Sequence, residues 1–156
     1  MTVWDWEAID WVFDDGGRSD AGFDGETGDC VTRAIAIATG RPYREVYDDL
    51  FDRQREFGEG RSRAAKAAGR NPSPRTGVMP DVYKRYLAET GWEWVPTMEF
   101  GVGCQVHLRA DELPEGRLIV RLSKHLAAVI DGVLHDTHDC SRDGTRCVYG
   151  YWKEAA

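Results

Sequence analysis

The chain has 156 residues, 42% of them hydrophobic and 30% charged, and a formal net charge of −7. That length suits one domain with a real core, and the acidic balance argues against general nucleic-acid binding. No apolar run approaches the ~20 residues of a bilayer span, and Met1–Glu7 lacks the basic and apolar regions of a secretory signal, so a cytoplasmic protein with no membrane partner is expected.

The first 14 residues set Trp4, Trp6, Trp11 and Phe13 among Asp5, Glu7, Asp10 and Asp14. This pattern predicts a short helix and then a strand, held to the core by the tryptophans. Asp15-Gly16-Gly17-Arg18 is a turn, and the glycine-rich stretch through Gly28 is loop. A helix over about 30–39 follows, with Val31, Ala34, Ile35 and Ala38 on one stripe and Gly40 as its C-terminal cap. Pro42 opens a second helix, about 42–57, with Tyr43, Val46, Tyr47, Leu50 and Phe51 at helical spacing.

Residues 58–77 read as a long connection with one helical turn at Ala64–Ala68. They carry Arg61, Arg63, Lys66, Arg70 and Arg75 against one Glu59, whereas residues 1–29 hold nine acidic side chains and only Arg18. The two segments are complementary surfaces within the fold, or the 58–77 loop is a patch for an anionic partner. Pro80 opens a third helix, about 80–90, ended by Gly91. The remainder reads as strands: about 92–98, 105–108, 117–123, 125–131, 133–138 and 147–152, with a turn of helix and a reversal at 110–116. Helices first and an antiparallel sheet second is an α+β pattern.

Cys30 stands at the start of the first helix, after Gly28-Asp29. A cysteine inside an apolar helix is ordinarily packing, but in the first turn the helix dipole favours thiolate. Asp131-Gly132 between apolar strands is a hairpin signal. A two-residue turn there pairs Ile130 with Val133 and Val129 with Leu134. His125, Ala127 and Val129 then share a face with Leu134, Asp136 and His138. Asp136 falls diagonal to His125, a gap of roughly 7–8 Å that a carboxylate can close. The opposite parity would separate them, and it places His135 on the other face.

The order of Cys30 on a helix, His125 on a strand and Asp136 on the next strand resembles the papain-like cysteine peptidase superfamily. The resemblance spans roughly residues 25–40 and 117–152. It is nearer to compact bacterial and phage members, such as bacteriocin-processing peptidases and NlpC-type amidases, than to papain. It implies N-terminal helices packed on a C-terminal antiparallel sheet with the site in the cleft between them. It implies Cys30 as nucleophile, His125 as acid–base and Asp136 as its orienting group, acting without a cofactor on a protein or peptide substrate.

Such enzymes place an oxyanion-binding glutamine before the cysteine. Here no glutamine precedes Cys30, and Asp24 stands six residues before it. Thr27, Gly28 or Gln105 are the substitutes the sequence offers, and His138 is a rival orienting group. The specificity pocket is expected from the 58–77 loop, Trp92, Trp94 and the loop around Cys104.

Two other readings stand beside the hydrolase. Cys104 and His107 have CxxH spacing, and His138, Cys140 and Cys147 add donors enough for a zinc site. Without a secretory signal, free thiols or a metal are expected before disulfides; a Cys140–Cys147 disulfide would need an oxidising compartment. The missing glutamine favours a non-catalytic binding module on the same fold.

Overall fold

The computed structural model describes residues 8–23 and 28–156. Its elements, in order, are β1 (Asp10–Phe13), α1 (Cys30–Thr39), α2 (Tyr43–Phe57), α3 (Arg63–Arg70), α4 (Pro80–Glu89), β2 (Trp92–Pro96) and β3 (Val106–His107). A 3₁₀ turn (Ala110–Glu112), β4 (Arg117–Leu122), β5 (His125–Ile130), β6 (Val133–Asp136), β7 (Cys147–Val148) and β8 (Gly150–Glu154) complete it. The molecule is α+β. A six-stranded sheet runs β1-β6-β5-β4-β8-β2, and β3 pairs with β7 in a separate ribbon.

The sheet is antiparallel except at one edge, where β1 lies parallel to β6 with Phe13 opposite Asp136. That parallel pair departs from the expected all-antiparallel sheet. A long connection through four helices separates the two strands in the chain, so no hairpin geometry constrains their direction. The expected inward packing of Trp11 and Phe13 is also corrected: they are 41% and 66% exposed on this edge strand. The Trp11 indole N–H instead donates to the Asp136 carbonyl, 3.2 Å. Trp4, Trp6 and the short helix expected before β1 lie outside the described residues.

β4 and β5 carry consecutive buried residues because both faces of the sheet are covered. On one face α1, α2 and α4 pack Val31, Ile35, Val46, Leu50, Val82 and Leu87 against Ile119, Ala128 and Trp152. On the other, Ile9, Leu108, Leu113 and Val148 cover Leu118, Val120, Val129 and Leu134. The small residues Ala34 and Ala38 let α1 lie close on β5. Gly40 ends α1 in the left-handed region, φ 71°. The β5–β6 turn has Asp131 and Gly132 both at positive φ, 47° and 78°, as a type I′ hairpin requires.

Residues 63–70 form a full helix, α3, where one turn was expected. The Ser62 hydroxyl caps it by accepting from the Ala65 N–H, and Ala65 and Ala68 are buried. No helix among the described residues is long and apolar enough to cross a membrane.

Candidate active site

α1 opens at Cys30, with Asp29 at the cap position. An aspartate there normally turns its carboxylate onto the first-turn N–H groups. Asp29 does not. Its carboxylate is fully buried and turned inward, accepting from Arg18 Nη1 at 3.2 Å and from the Tyr43 hydroxyl at 2.8 Å. The Arg33 Nε lies 3.2 Å from the same carboxylate, close enough for charge pairing but outside hydrogen-bond geometry. The positive end of α1 is thus left without its own capping carboxylate, at the residue that carries the thiol.

His125 and Asp136 are terminal residues of neighbouring antiparallel strands, at the same end of the sheet. The observed pairs Val129–Leu134 and Ile130–Val133 match the expected register. His125 Nε2 lies 2.7 Å from Asp136 Oδ2. Asp136 Oδ1 accepts from the Thr137 N–H at 2.7 Å and faces Arg33 Nη1 at 3.4 Å. That same nitrogen donates to the Thr137 hydroxyl, 2.7 Å. With Asp136 on Nε2, the sulfurs of both Cys30 and Cys140 are within hydrogen-bonding reach of the imidazole.

The electrostatics follow from these contacts. Burial disfavours the thiolate of Cys30. The hydrogen bond from His125, the Leu126 backbone N–H and the charges of His125 and Arg33 outweigh it, and the thiol is held below its ordinary value. Burial likewise disfavours the imidazolium, but hydrogen bonds to Asp136, Cys140 and Cys30 and the Asp136 charge push His125 up to about 11. Asp136 is depressed: burial is overcome by His125, Thr137 and Arg33. Cys30, His125, Asp136, Arg33, Asp29 and Arg18 thereby form one chain of alternating charge when the thiol is ionised, half-buried at Cys30 and His125 and buried beyond them.

Cys140 touches the same imidazole and behaves oppositely. It is buried, and desolvation and the Asp136 carboxylate push its thiol up despite His125. His138 is exposed, its ring 5.5 Å from that of His125, so it flanks the pair, and Asp136 holds Nε2. His135 turns to Asp14, 3.2 Å.

A cleft of about 440 Å³ opens on Cys30 and His125, walled by Gly28, Val78, Tyr83 and Arg121. Gly28 is therefore beside the thiol. Gln105 is not: it is exposed on a distant loop, donating to the Val102 carbonyl. Thr27 and Asp24 lie outside the described residues. Of the expected specificity segments, Gly77 lines the cleft, Trp94 and Gly103 line the neighbouring groove, and Trp92 is core.

The zinc set expected from spacing is not assembled. Cys104 and Cys147 are joined in a disulfide, His107 faces Glu112 at 3.2 Å, and Cys140 packs by His125. The β3–β7 ribbon, with His107 opposite Cys147, delivers Cys104 to that partner. This disulfide also corrects the expectation of four free thiols and the Cys140–Cys147 alternative. Among the described residues, the group that could ligate an ion is His125, Asp136 and Cys140, with ligand atoms within 4.8 Å of one another. A soft divalent metal there would take the imidazole away from Cys30.

Three residues escaped the sequence reading. Arg33 had a signal, being the one charged side chain inside an apolar helix. Gln54 had none: it is buried in α2, donates to the Pro72 and Gly77 carbonyls and accepts from the Met79 N–H, and so pins the cleft wall. Arg121, on the cleft wall, had none. No protein-family model matches this chain, and no curated protein or solved structure matches it either.

Proposed function

We propose that the protein is a thiol hydrolase of papain-like type, cutting an amide or isopeptide bond in a protein or peptide. The observation that carries this reading is the contact series Cys30–His125–Asp136 at an uncapped helix start, with only the thiol that faces the cleft lowered.

The Cys30 thiolate attacks the carbonyl carbon. The oxyanion that forms is met by first-turn N–H groups of α1, with the Gly28 backbone beside them. His125 gives its proton to the leaving nitrogen, the C–N bond breaks, and a thioester remains on Cys30. Water then attacks the thioester and loses a proton to His125. The C–S bond breaks, the acid product leaves, and the thiolate–imidazolium pair is restored. Asp136 holds the ring and stabilises its charged form throughout.

The test is alkylation of each cysteine by iodoacetamide against pH, read by mass spectrometry. Cys30 should react well below the ~8.5 of free cysteine, while Cys140 stays inert. His125→Ala should return Cys30 to ordinary or slower behaviour. An inert Cys30 in the folded protein would sink the proposal.

A further inference from the structure

The cleft at Cys30 does not end at Tyr83. Arg121 and Tyr149 line it and also line a second groove of about 570 Å³, formed with Trp94, Met98 and Phe100. The two hollows thus adjoin at Arg121 and Tyr149. Gly150 makes room for the Trp94 indole on the groove wall: a Cβ there would fall 2.9 Å from the Val95 carbonyl and closer still to the indole, which lies over this position.

The far wall of the groove is a loop that presents apolar groups to solvent. Phe100 is fully exposed, and Val102 is 55% exposed. The loop is held at both ends. At its start, the Thr97 N–H donates to the Tyr149 carbonyl at 3.1 Å and its hydroxyl to the Val148 carbonyl at 2.8 Å. At its end the Cys104–Cys147 disulfide ties it to β7. An aromatic group displayed on a tethered loop, beside the cleft that holds the Cys30 thiol, marks a binding surface.

The cleft is also locally basic in an acidic protein. Arg121 is half-buried on its wall, and Lys124 stands exposed at its rim in the β4–β5 turn. Among the described residues, no carboxylate lies within ion-pair distance of either. Glu99 lines the groove but not the cleft, which leaves carboxylate recognition to the cleft side.

Resting on the hydrolase reading, we infer that the substrate is an extended acidic polypeptide. An acidic side chain next to the bond under attack meets Arg121 and Lys124, and a bulky apolar side chain further along seats between Trp94, Met98 and Phe100. A charge-assisted contact to a guanidinium favours a carboxylate over a neutral group, and aromatic walls favour large apolar side chains.

The test uses short peptides with a central dehydroalanine, which the Cys30 thiolate adds to while the α-carbon takes up a proton. One pair carries Asp and Phe, either before or after the dehydroalanine; the control pair carries Lys and Gly. Iodoacetamide run in parallel reports thiol reactivity alone. One Asp/Phe peptide should label Cys30 about tenfold faster than its control, equivalent to roughly 1.4 kcal/mol. Arg121→Gln should remove the preference for Asp and Phe100→Ser the preference for Phe, each labelling rate being taken relative to the same variant's iodoacetamide rate. A reactive Cys30 with no preference in either order overturns this inference and leaves the hydrolase reading standing. A Cys30 inert to iodoacetamide overturns both.

Discussion

Arg33 holds two carboxylates at once, Asp29 on its own helix and Asp136 on β6, and its side chain is only 7% exposed. It joins the helix that carries the thiol to the strand that orients the imidazole. Arg33→Met leaves both carboxylates short of a buried cation, and breaking such a pair costs about 3 kcal/mol. The depressed Asp136 carboxyl stabilises the fold above its unfolded value of about 3.9 and loses that effect as pH falls through the lower folded value. Without Arg33 the folded value rises, so acid unfolding should begin at higher pH. His125 works at the other limb. Its stabilisation is complete below about 6.5 and is lost as pH rises through about 11. Urea unfolding at neutral pH and an acid titration followed by tryptophan fluorescence check both effects. A loss under about 0.5 kcal/mol, as for an ordinary surface change, would show that Arg33 is not the link.

At the scale of elements, the cleft depends on how the α2–α3 corner is packed. α2 carries Gln54, which pins residues 72–79, and it ends where its backbone touches that of α3. A Cβ on Gly58 would lie 2.5 Å from Gly69 Cα and 2.6 Å from its N. Backbone atoms cannot swing aside as a side chain can. Gly58→Ala should therefore cost about 1–3 kcal/mol through overpacking, measured as a lower urea midpoint. A midpoint equal to wild type would mean that α3 is free to move off α2. This corner also explains why α3 was not foreseen beyond one turn. Its eight residues are arginine, lysine, alanine and glycine, with no large apolar side chain to mark a core face, and its stability comes from burying Ala65 and Ala68 against neighbours. α1 was legible to the residue, because its start, apolar stripe and glycine stop are all local signals.

Across the whole molecule, the Cys104–Cys147 disulfide closes a loop of sequence separation 43 that contains β4, β5 and β6. Loop-closure entropy for that length amounts to about 4 kcal/mol. Reduction, or the Cys104→Ser/Cys147→Ser pair of substitutions, should lower the urea midpoint accordingly. It should also free the Phe100 loop, while Cys30, whose cleft neither bridged cysteine lines, keeps its iodoacetamide rate. An unchanged midpoint under reductant would contradict this assignment. The pairing was unreadable from cysteine spacing because the contact is made by β3 against β7, two two-residue strands with no pattern of their own.

The sequence by itself determined what depends on neighbours in the chain. α1 and its caps follow from helical spacing. The β5–β6 hairpin follows from Asp131-Gly132, and strand alternation then put His125 and Asp136 on one face. Only the tertiary structure decided which distant charges enclose them. The inward turn of Asp29 onto Arg18 and Tyr43, the reach of Arg33 to Asp136, the parallel seat of β1 and the disulfide all join segments remote in the chain. Local periodicity specifies which face a side chain occupies; burial and charge pairing among remote segments specify what that face meets.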